Sequence, residues 1–327
     1  MKENGVKVGE NSVARDALLV FAGNASRGLA AAICQHLDVA LGHAEVRQFS
    51  DGETQVEIHD NVRGGDVFVV QSTSTPGNDH IMELLLLLDA LKRASAKRVT
   101  AVVPYYGYAR QDRKVAPRVP ISAKLVADLL ETAGASRVMT LELHAGQIQG
   151  FFNVPVDNLY SNPVLLPSIF EELKGLPVSV VSPDAGGVER ARAFAKRLDA
   201  SLAIIDKRRV RANQVEEMRI IGDVKGRAAV IVDDIIDTAG TMCKAAEAVM
   251  AAGAERVLAC AAHGVLSGAA VERISKSVMD KVVITDTISP RPDVLAEKRI
   301  KVVTVAELIA QAIRRTHREE SISSLFD

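Results

Sequence analysis

Ala228–Thr241 reads AAVIVDDIIDTAGT. Its first five residues, Ala228 to Val232, are apolar and rich in β-branched side chains, the composition of a parallel strand buried on both faces rather than of a surface helix. Asp233 and Asp234 are expected at the carboxyl end of that strand, where open α/β sheets bind their ligands. Adjacent strand residues face opposite sides, but a turn at the end can bring both acids to one ligand. Carboxylates accept paired hydrogen bonds, which suits the vicinal hydroxyls of a sugar. Asp237, Thr238, Ala239, Gly240 and Thr241 then lead into a helix. Gly240 is expected to let the backbone approach a ligand, and the two threonine hydroxyls join unpaired helix N-terminal N–H groups. Such an arrangement holds a phosphate. Acids for a ribose beside a helix start for its phosphate describe a ribose-phosphate site. The competing reading is a plain strand with Asp237 as the helix N-cap.

The same alternation extends outward along the chain. Strand-like runs LLVFAG, VFVVQS, RVTAVVPYY, RVMTLELH, VSVVSP, SLAIID, RVLACAAHG and KVVITDT alternate with helical stretches expected from about Ser26, Asp79, Val188 and Ala306. This predicts an α/β fold, a mostly parallel sheet flanked by helices. AGASRVMTLELHAG at Ala133–Gly146 and AGAERVLACAAHG at Ala252–Gly264 keep Ala-Gly-Ala, Arg-Val and His in one register, with a weaker copy, ASAKRVTAVV, at Ala94–Val103. The echo predicts two versions of one α/β unit, with a join near Tyr160 to Pro167, where SNPVLLP gathers turn formers. The expected organisation is a polar, disordered tail over 1–16, domains over 17–160 and 161–305, and a C-terminal helix over 306–327 that folds back onto the first domain.

Further segments carry chemistry. In VVSPDAGGVERARAFA a strand ends and Asp184, Ala185, Gly186 and Gly187 turn into a helix. The two glycines permit close approach to a diphosphate, and Asp184 can hold a Mg²⁺ directly or through water; a tight structural turn explains the same residues. Lys207, Arg208, Arg209 and Arg211 follow the strand SLAIID and can neutralise charge on a polyphosphate, or be merely solvated. Phe49-Ser50-Asp51-Gly52-Glu53 offers an aromatic face and two carboxylates to an adenine, and also reads as an exposed hairpin turn. Arg110 and Gln111, within PYYGYARQDRK, can grip a nucleotide phosphate and sugar. His144 ends a strand, a place suited to a metal or phosphate, although a lone histidine is more often packed. His263, its counterpart in the echo, is assigned no role.

Composition removes several function classes. The 327 residues support sizeable cores, and 40 basic against 41 acidic side chains, net −1, give no electrostatic case for nucleic-acid binding. The leucine run Leu84–Leu88 is far too short to span a membrane and reads as a core helix. The opening MKENGVKVGENSVARD lacks the apolar stretch of a signal peptide. Three cysteines without metal spacing suit a reducing cytoplasm.

The Ala228–Thr241 segment resembles the phosphoribosyl-diphosphate motif of the phosphoribosyltransferase superfamily. Together with FAGNASRGLA, FSDGE, QSTSTPGNDHIMELLLLLDALKRASAKRVTAVVPYYGYARQDRK, ISAKL, LHAGQIQGFF, VSPDAGGVERARAFAKRL and IIDKRR, it makes the chain similar, from about Leu18 onward, to the phosphate-activated ribose-phosphate diphosphokinase family. That resemblance implies two phosphoribosyltransferase-like domains, cytoplasmic location and a homohexamer built from dimers. It also implies transfer of the diphosphoryl group of MgATP to the C1 hydroxyl of ribose 5-phosphate for nucleotide biosynthesis. By matching positions it implies that Phe49, Asp51 and Glu53 hold adenine from a neighbouring subunit, and Arg110 and Gln111 the rest of ATP. His144 and Asp184 would serve Mg²⁺, Lys207 and Arg209 the transition state, and Asp233 to Thr241 the ribose 5-phosphate. Phosphate and ADP are the implied effectors, but Val115-Ala116-Pro117 and Gly146 depart from the family's effector contacts, so ADP inhibition is expected to be weak. The rival readings are a phosphoribosyltransferase that consumes the diphosphate and a non-catalytic regulatory subunit.

Overall fold

The computed structural model describes residues 16–173, 175–208 and 217–325. In the first half the strands are β1 (Leu18–Ala22), β2 (Ala44–Gln48), β3 (Thr54–Ile58), β4 (Asp66–Val70), β5 (Arg98–Val103), β6 (Arg137–Leu141) and β7 (Val156–Leu159). The helices are α1 (Arg27–Leu37), α2 (Gly77–Arg93) and α3 (Ser122–Ala133). β1, β4, β5, β6 and β7 form a parallel sheet in that spatial order, while β2 and β3 pair separately as an antiparallel hairpin. Because the order advances in one direction, right-handed crossovers put α2 and α3 on the same face. There Ile81, Leu84, Leu87, Leu88 and Leu91 of α2 are buried against Val67, Val69, Ala101 and Val103, each contributing about 1.5–3 kcal/mol relative to exposure.

The second half contains α4 (Asn162–Leu173), β8 (Val178–Ser182), α5 (Val188–Leu198), β9 (Ser201–Arg208), β10 (Glu217–Ile221), β11 (Ala228–Ile236), α6 (Gly240–Ala251), β12 (Arg256–Gly264), α7 (Ala270–Lys276), β13 (Lys281–Thr285), α8 (Pro292–Ala296), β14 (Ile300–Val303) and α9 (Ala306–His317). Its sheet has the order β10-β9-β8-β11-β12-β13-β14, parallel except for β10. From β8 the chain moves outward to β9 and β10; from β11 it moves outward the other way. The gap between β8 and β11 is therefore a topological switch point, the place in an open α/β sheet where ligands bind beyond the strand ends. β11 is buried on both sides as its composition predicts: Ala229 and Ile231 face the core under α6, Ala228, Val230 and Val232 the core under α4 and α5.

The free face of the first sheet is covered by α1 and by α9, whose Leu308, Ile309, Ala312 and Ile313 pack with Val20, Ile33, Phe68 and Leu141. At the end of that helix His317 Nδ1 meets the buried Asp66 carboxylate at 2.9 Å, which also accepts from Arg98 Nε at 2.9 Å. Two local expectations change. SNPVLLP is not a turn cluster, because Asn162 opens α4 and Pro167 lies inside it; Pro163 sits in the first turn, where a missing N–H costs nothing. β11 runs on to Ile236 rather than ending at Asp233 and Asp234, since its pairing with β12 continues to Ile236 opposite Gly264.

Candidate active site

β8 and β11 are paired only as far as Val181 opposite Ile231, so from Ser182 and Val232 onward the two strands are free to diverge. A cavity of about 790 Å³ opens there. It is lined by Asp184, Ala185, Gly186 and Gly187 after β8, by Asp233 and Asp234 on β11, by Arg190 on α5, and by Glu142, His144 and Gly146 from the first half. Both halves thus contribute walls.

A charged network fixes this cavity. Glu142 carries a left-handed backbone at φ +49°, which ends β6 and turns the chain so that His144 reaches the second half. His144 Nδ1 lies 2.7 Å from Asp234 Oδ2. Arg190 Nε donates to Glu142 Oε1 at 3.0 Å, and its Nη1 lies 3.4 Å from Asp234 Oδ1 and 3.7 Å from Asp233 Oδ1. Glu142 Oε2 accepts from the Ser161 N–H and hydroxyl at 3.0 and 2.8 Å. The Asp234 side chain is 5% exposed. Burial works against its charge, but the hydrogen bond to His144 and the Arg190 guanidinium hold its carboxyl well below the usual range. Burial and the neighbouring Asp234 push Asp233 up. His144 is pushed up by its hydrogen bond to Asp234. The network thus favours the charged form of Asp234 and disfavours that of its neighbour Asp233.

The two loops differ in how they start their helices. After β8, Asp184 Oδ1 accepts from the N–H groups of Gly186 and Gly187 at 2.9 and 3.0 Å. The carboxylate thereby shapes the turn. After β11 no side chain caps α6, so its first N–H groups stay available. The left-handed residue there is Ala239, at φ +60°, and not Gly240; a side chain held in that region stores strain of about 1–3 kcal/mol. Gly240 contributes space, since an added Cβ would meet only Thr238 Oγ1, at 3.8 Å. Asp237 is no N-cap: its Oδ2 accepts from Arg110 Nη1 at 2.7 Å and its Oδ1 from the Ser267 hydroxyl.

Comparisons with known proteins agree with this architecture. The N-terminal domain of ribose phosphate pyrophosphokinase matches residues 18–134, and a phosphoribosyl synthetase-associated domain matches residues 208–327. Ribose-phosphate pyrophosphokinase of Agrobacterium fabrum is 58% identical over 94% of this chain and 99% of its own, and that of Rhizobium meliloti is likewise 58% identical over the same shares. The crystal structure of phosphoribosylpyrophosphate synthetase from Mycobacterium smegmatis superposes with a TM-score of 0.88 at 42% identity, covering 93% of this chain and all of that one. The chain belongs to the ribose-phosphate pyrophosphokinase family.

Against that family the sequence-derived residues divide into three groups. His144, Asp184, Ala185, Gly186, Gly187, Asp233 and Asp234 line the one cavity, and Asp237 to Thr241 follow directly on β11, tied to the first half through Arg110. Phe49, Asp51 and Glu53 lie elsewhere, at the exposed tip of the β2–β3 hairpin, where Phe49 N–H donates to Glu53 C=O at 2.7 Å. Gln111 turns away to accept from Ser122 Oγ at 2.5 Å. Arg209 and the Lys207 side chain lie outside the described residues. Sequence reasoning passed over Arg190 and Glu142. Both left a signal: a cation in the first turn of α5 opposes the helix dipole, and an acid inside the apolar run LELH needs a buried partner.

Proposed function

We propose that this chain transfers the diphosphoryl group of ATP to the C1 hydroxyl of ribose 5-phosphate, giving phosphoribosyl diphosphate and AMP. The observation that carries this reading is the meeting, at one switch point, of an uncapped strand-to-helix loop, a glycine loop and an acid pair, Asp234 buried and Asp233 half-buried, held by Arg190 and His144. Asp233 and Asp234 hold the ribose hydroxyls, and the Thr238–Thr241 amides and hydroxyls its 5-phosphate. The Gly186–Gly187 turn takes the diphosphate, while Arg110 and Gln111 bind ATP from the first half. The C1 oxygen then attacks the β-phosphorus as the bond to the AMP oxygen breaks. Positioning and charge neutralisation supply most of the rate in such transfers, with Lys207 and Arg209 assigned to the developing charge.

The donor set suits Mg²⁺, which takes one or two carboxylates and completes its shell with water and substrate phosphates. Asp184, oriented by its two amide contacts, and His144 are the residues assigned to it. When bound, the ion neutralises the ATP phosphates and polarises the phosphorus under attack. The cytoplasm is the compartment we assign. Among the described residues no helix is long and apolar enough to cross a membrane.

We assign residues 17–160 and 161–305 to the two domains, and we assign the hairpin tip to a site in a neighbouring chain of a hexamer. Phe49 is half exposed at the hairpin tip and does not line the cavity of its own chain. Phosphate is retained as activator through Arg118, while Gly146, open where a Cβ would meet nothing within 4 Å, weakens ADP inhibition. The test is purified protein with MgATP and ribose 5-phosphate. Equimolar AMP and phosphoribosyl diphosphate support the assignment, whereas ADP formation or no reaction overturns it.

A further inference from the structure

The β2–β3 hairpin carries a second cluster of donor groups, remote from the cavity. Ala44 pairs with Ile58, Glu45 with Glu57, Val46 with Val56 and Arg47 with Gln55. Side chains alternate across a strand, so Ala44, Val46, Val56 and Ile58 share one face and Glu45, Arg47, Gln55 and Glu57 the other. The apolar face packs into the core beneath α2, which fixes the backbone of both strands. Extending the register by one step puts His43 opposite His59, with His59 N–H donating to His43 C=O at 3.0 Å. Both histidines therefore stand on the same solvent face as the two glutamates, and their rings lie 4.5 Å apart.

Two glutamates directly opposite each other in an antiparallel pair repel, and such a pair is destabilising unless something of opposite charge is shared between them. Here the ring of His59 lies between: Nε2 is 3.9 Å from Glu45 Oε2 and Nδ1 is 3.7 Å from Glu57 Oε1. One donor atom from each of Glu45, Glu57 and His59 lies within 4.8 Å of the others, the only such three-residue group among the described residues. Arg47 Nη1 reaches Glu45 from one side at 3.1 Å, while its Nε is engaged by Gln55 at 2.8 Å. Among the described residues, no arginine or lysine forms a salt bridge with Glu57.

We propose that this face is a binding site for a divalent transition-metal ion of the Zn²⁺ type, ligated by Glu45, Glu57 and His59, with His43 beside them as a fourth donor. Bonds of about 2 Å to a shared ion bring donors to roughly 3.3–3.5 Å from one another. Side-chain rotations on a fixed backbone close that difference. Two imidazoles with two carboxylates favour Zn²⁺, Co²⁺ or Ni²⁺ over Mg²⁺, whose shell is mostly oxygen. The site lies on the β2–β3 hairpin, outside the cavity whose His144 and Asp184 are assigned to Mg²⁺, and its ion clamps the two strands that carry Phe49, Asp51 and Glu53 at their turn. The proposal does not depend on the catalytic reading.

The experiment is Zn²⁺ titration of the full chain by calorimetry at pH 7.5 in excess Mg²⁺, with Co²⁺ absorption as a second readout of the ligand set. Wild type and His144→Ala are expected to bind one Zn²⁺ per chain at this site with equal affinity and to give a Co²⁺ d–d spectrum. His59→Ala and Glu57→Gln are expected to weaken binding by at least about 10–100-fold and to lose that spectrum, with circular dichroism unchanged. Binding that survives in His59→Ala and Glu57→Gln but disappears in His144→Ala overturns the proposal, as does a wild type that binds no Zn²⁺ under excess Mg²⁺.

Discussion

His144 and His263 hold the same place in two copies of one sequence pattern, yet the fold puts them to opposite uses. β6 stops at Leu141 because Glu142 adopts φ +49°, and the redirected chain delivers His144 to the cavity, 2.7 Å from Asp234. β12 carries on to Gly264 with no such turn, so His263 stays inside. There its Nε2 lies 3.1 Å from Glu142 C=O and its Nδ1 2.9 Å from Thr287 Oγ1, with Tyr105 packed edge-on at 5.0 Å. The Nε2–H donates to the carbonyl, and Nδ1 accepts from the threonine hydroxyl. One histidine faces the cavity while its twin pins the two halves together, and the residue the twin grips is the same Glu142 that redirects the first. The sheets differ in parallel fashion: only the second reverses its strand order and so has a switch point.

The comparison is easiest to break at Arg190, which serves acids from both halves. Arg190→Met leaves Glu142 and Asp234 buried without their cation and is expected to cost about 3–5 kcal/mol, measured by urea unfolding with calorimetric confirmation. A variant as stable as wild type would show that the network is not a buried charge cluster. The two histidines should then separate cleanly. His263→Ala strands the buried Glu142 carbonyl, so a loss of about 1–3 kcal/mol is expected, with turnover per folded molecule largely kept. His144→Ala should do the reverse, losing roughly 10–100-fold in kcat for less than about 1 kcal/mol of stability, because its side chain is 39% exposed. If both variants lose stability equally, the echo has not diverged.

A smaller effect sharpens the same contrast through pH. Burial depresses His263, so the unfolded chain binds the extra proton first. Its contribution is present above the unfolded pKa of about 6.5 and is lost as pH falls below it. His144 is raised, so its contribution is fully present below about pH 6.5 and is lost as pH rises through the folded pKa. In Mg²⁺-free buffer, the stability difference between wild type and His263→Gln should therefore shrink toward acid, and that for His144→Gln should shrink toward base. Two differences sloping the same way would contradict the assignment of environments.

The strands were legible because burial on both faces leaves continuous apolar runs, as at Ala228–Val232, Val67–Val70 and Val257–Ala262. The paired loops were legible because Asp-Thr-Ala-Gly-Thr and Asp-Ala-Gly-Gly follow such runs. What the linear pattern does not encode is where strands diverge and which charges then meet. Glu142 gives no local hint of a left-handed backbone, and Arg190 stands on a helix whose other charges are solvated. The extension of β11 to Ile236 depends on its neighbour β12, and the strain at Ala239 depends on the loop that follows. SNPVLLP misled as a turn cluster because Pro163 is at home in a helix's first turn as well as in a turn.

The central claim is that the acids of β11 receive the sugar while ATP is held mainly from elsewhere. Apparent affinities for both substrates in Asp234→Asn test it most directly. Ribose 5-phosphate is expected to weaken by about 10-fold to 150-fold, the loss of charge-assisted hydrogen bonds worth about 1.5–3 kcal/mol, while ATP changes by less than about twofold. An unchanged affinity for ribose 5-phosphate, or an equal loss for both substrates, would contradict the account.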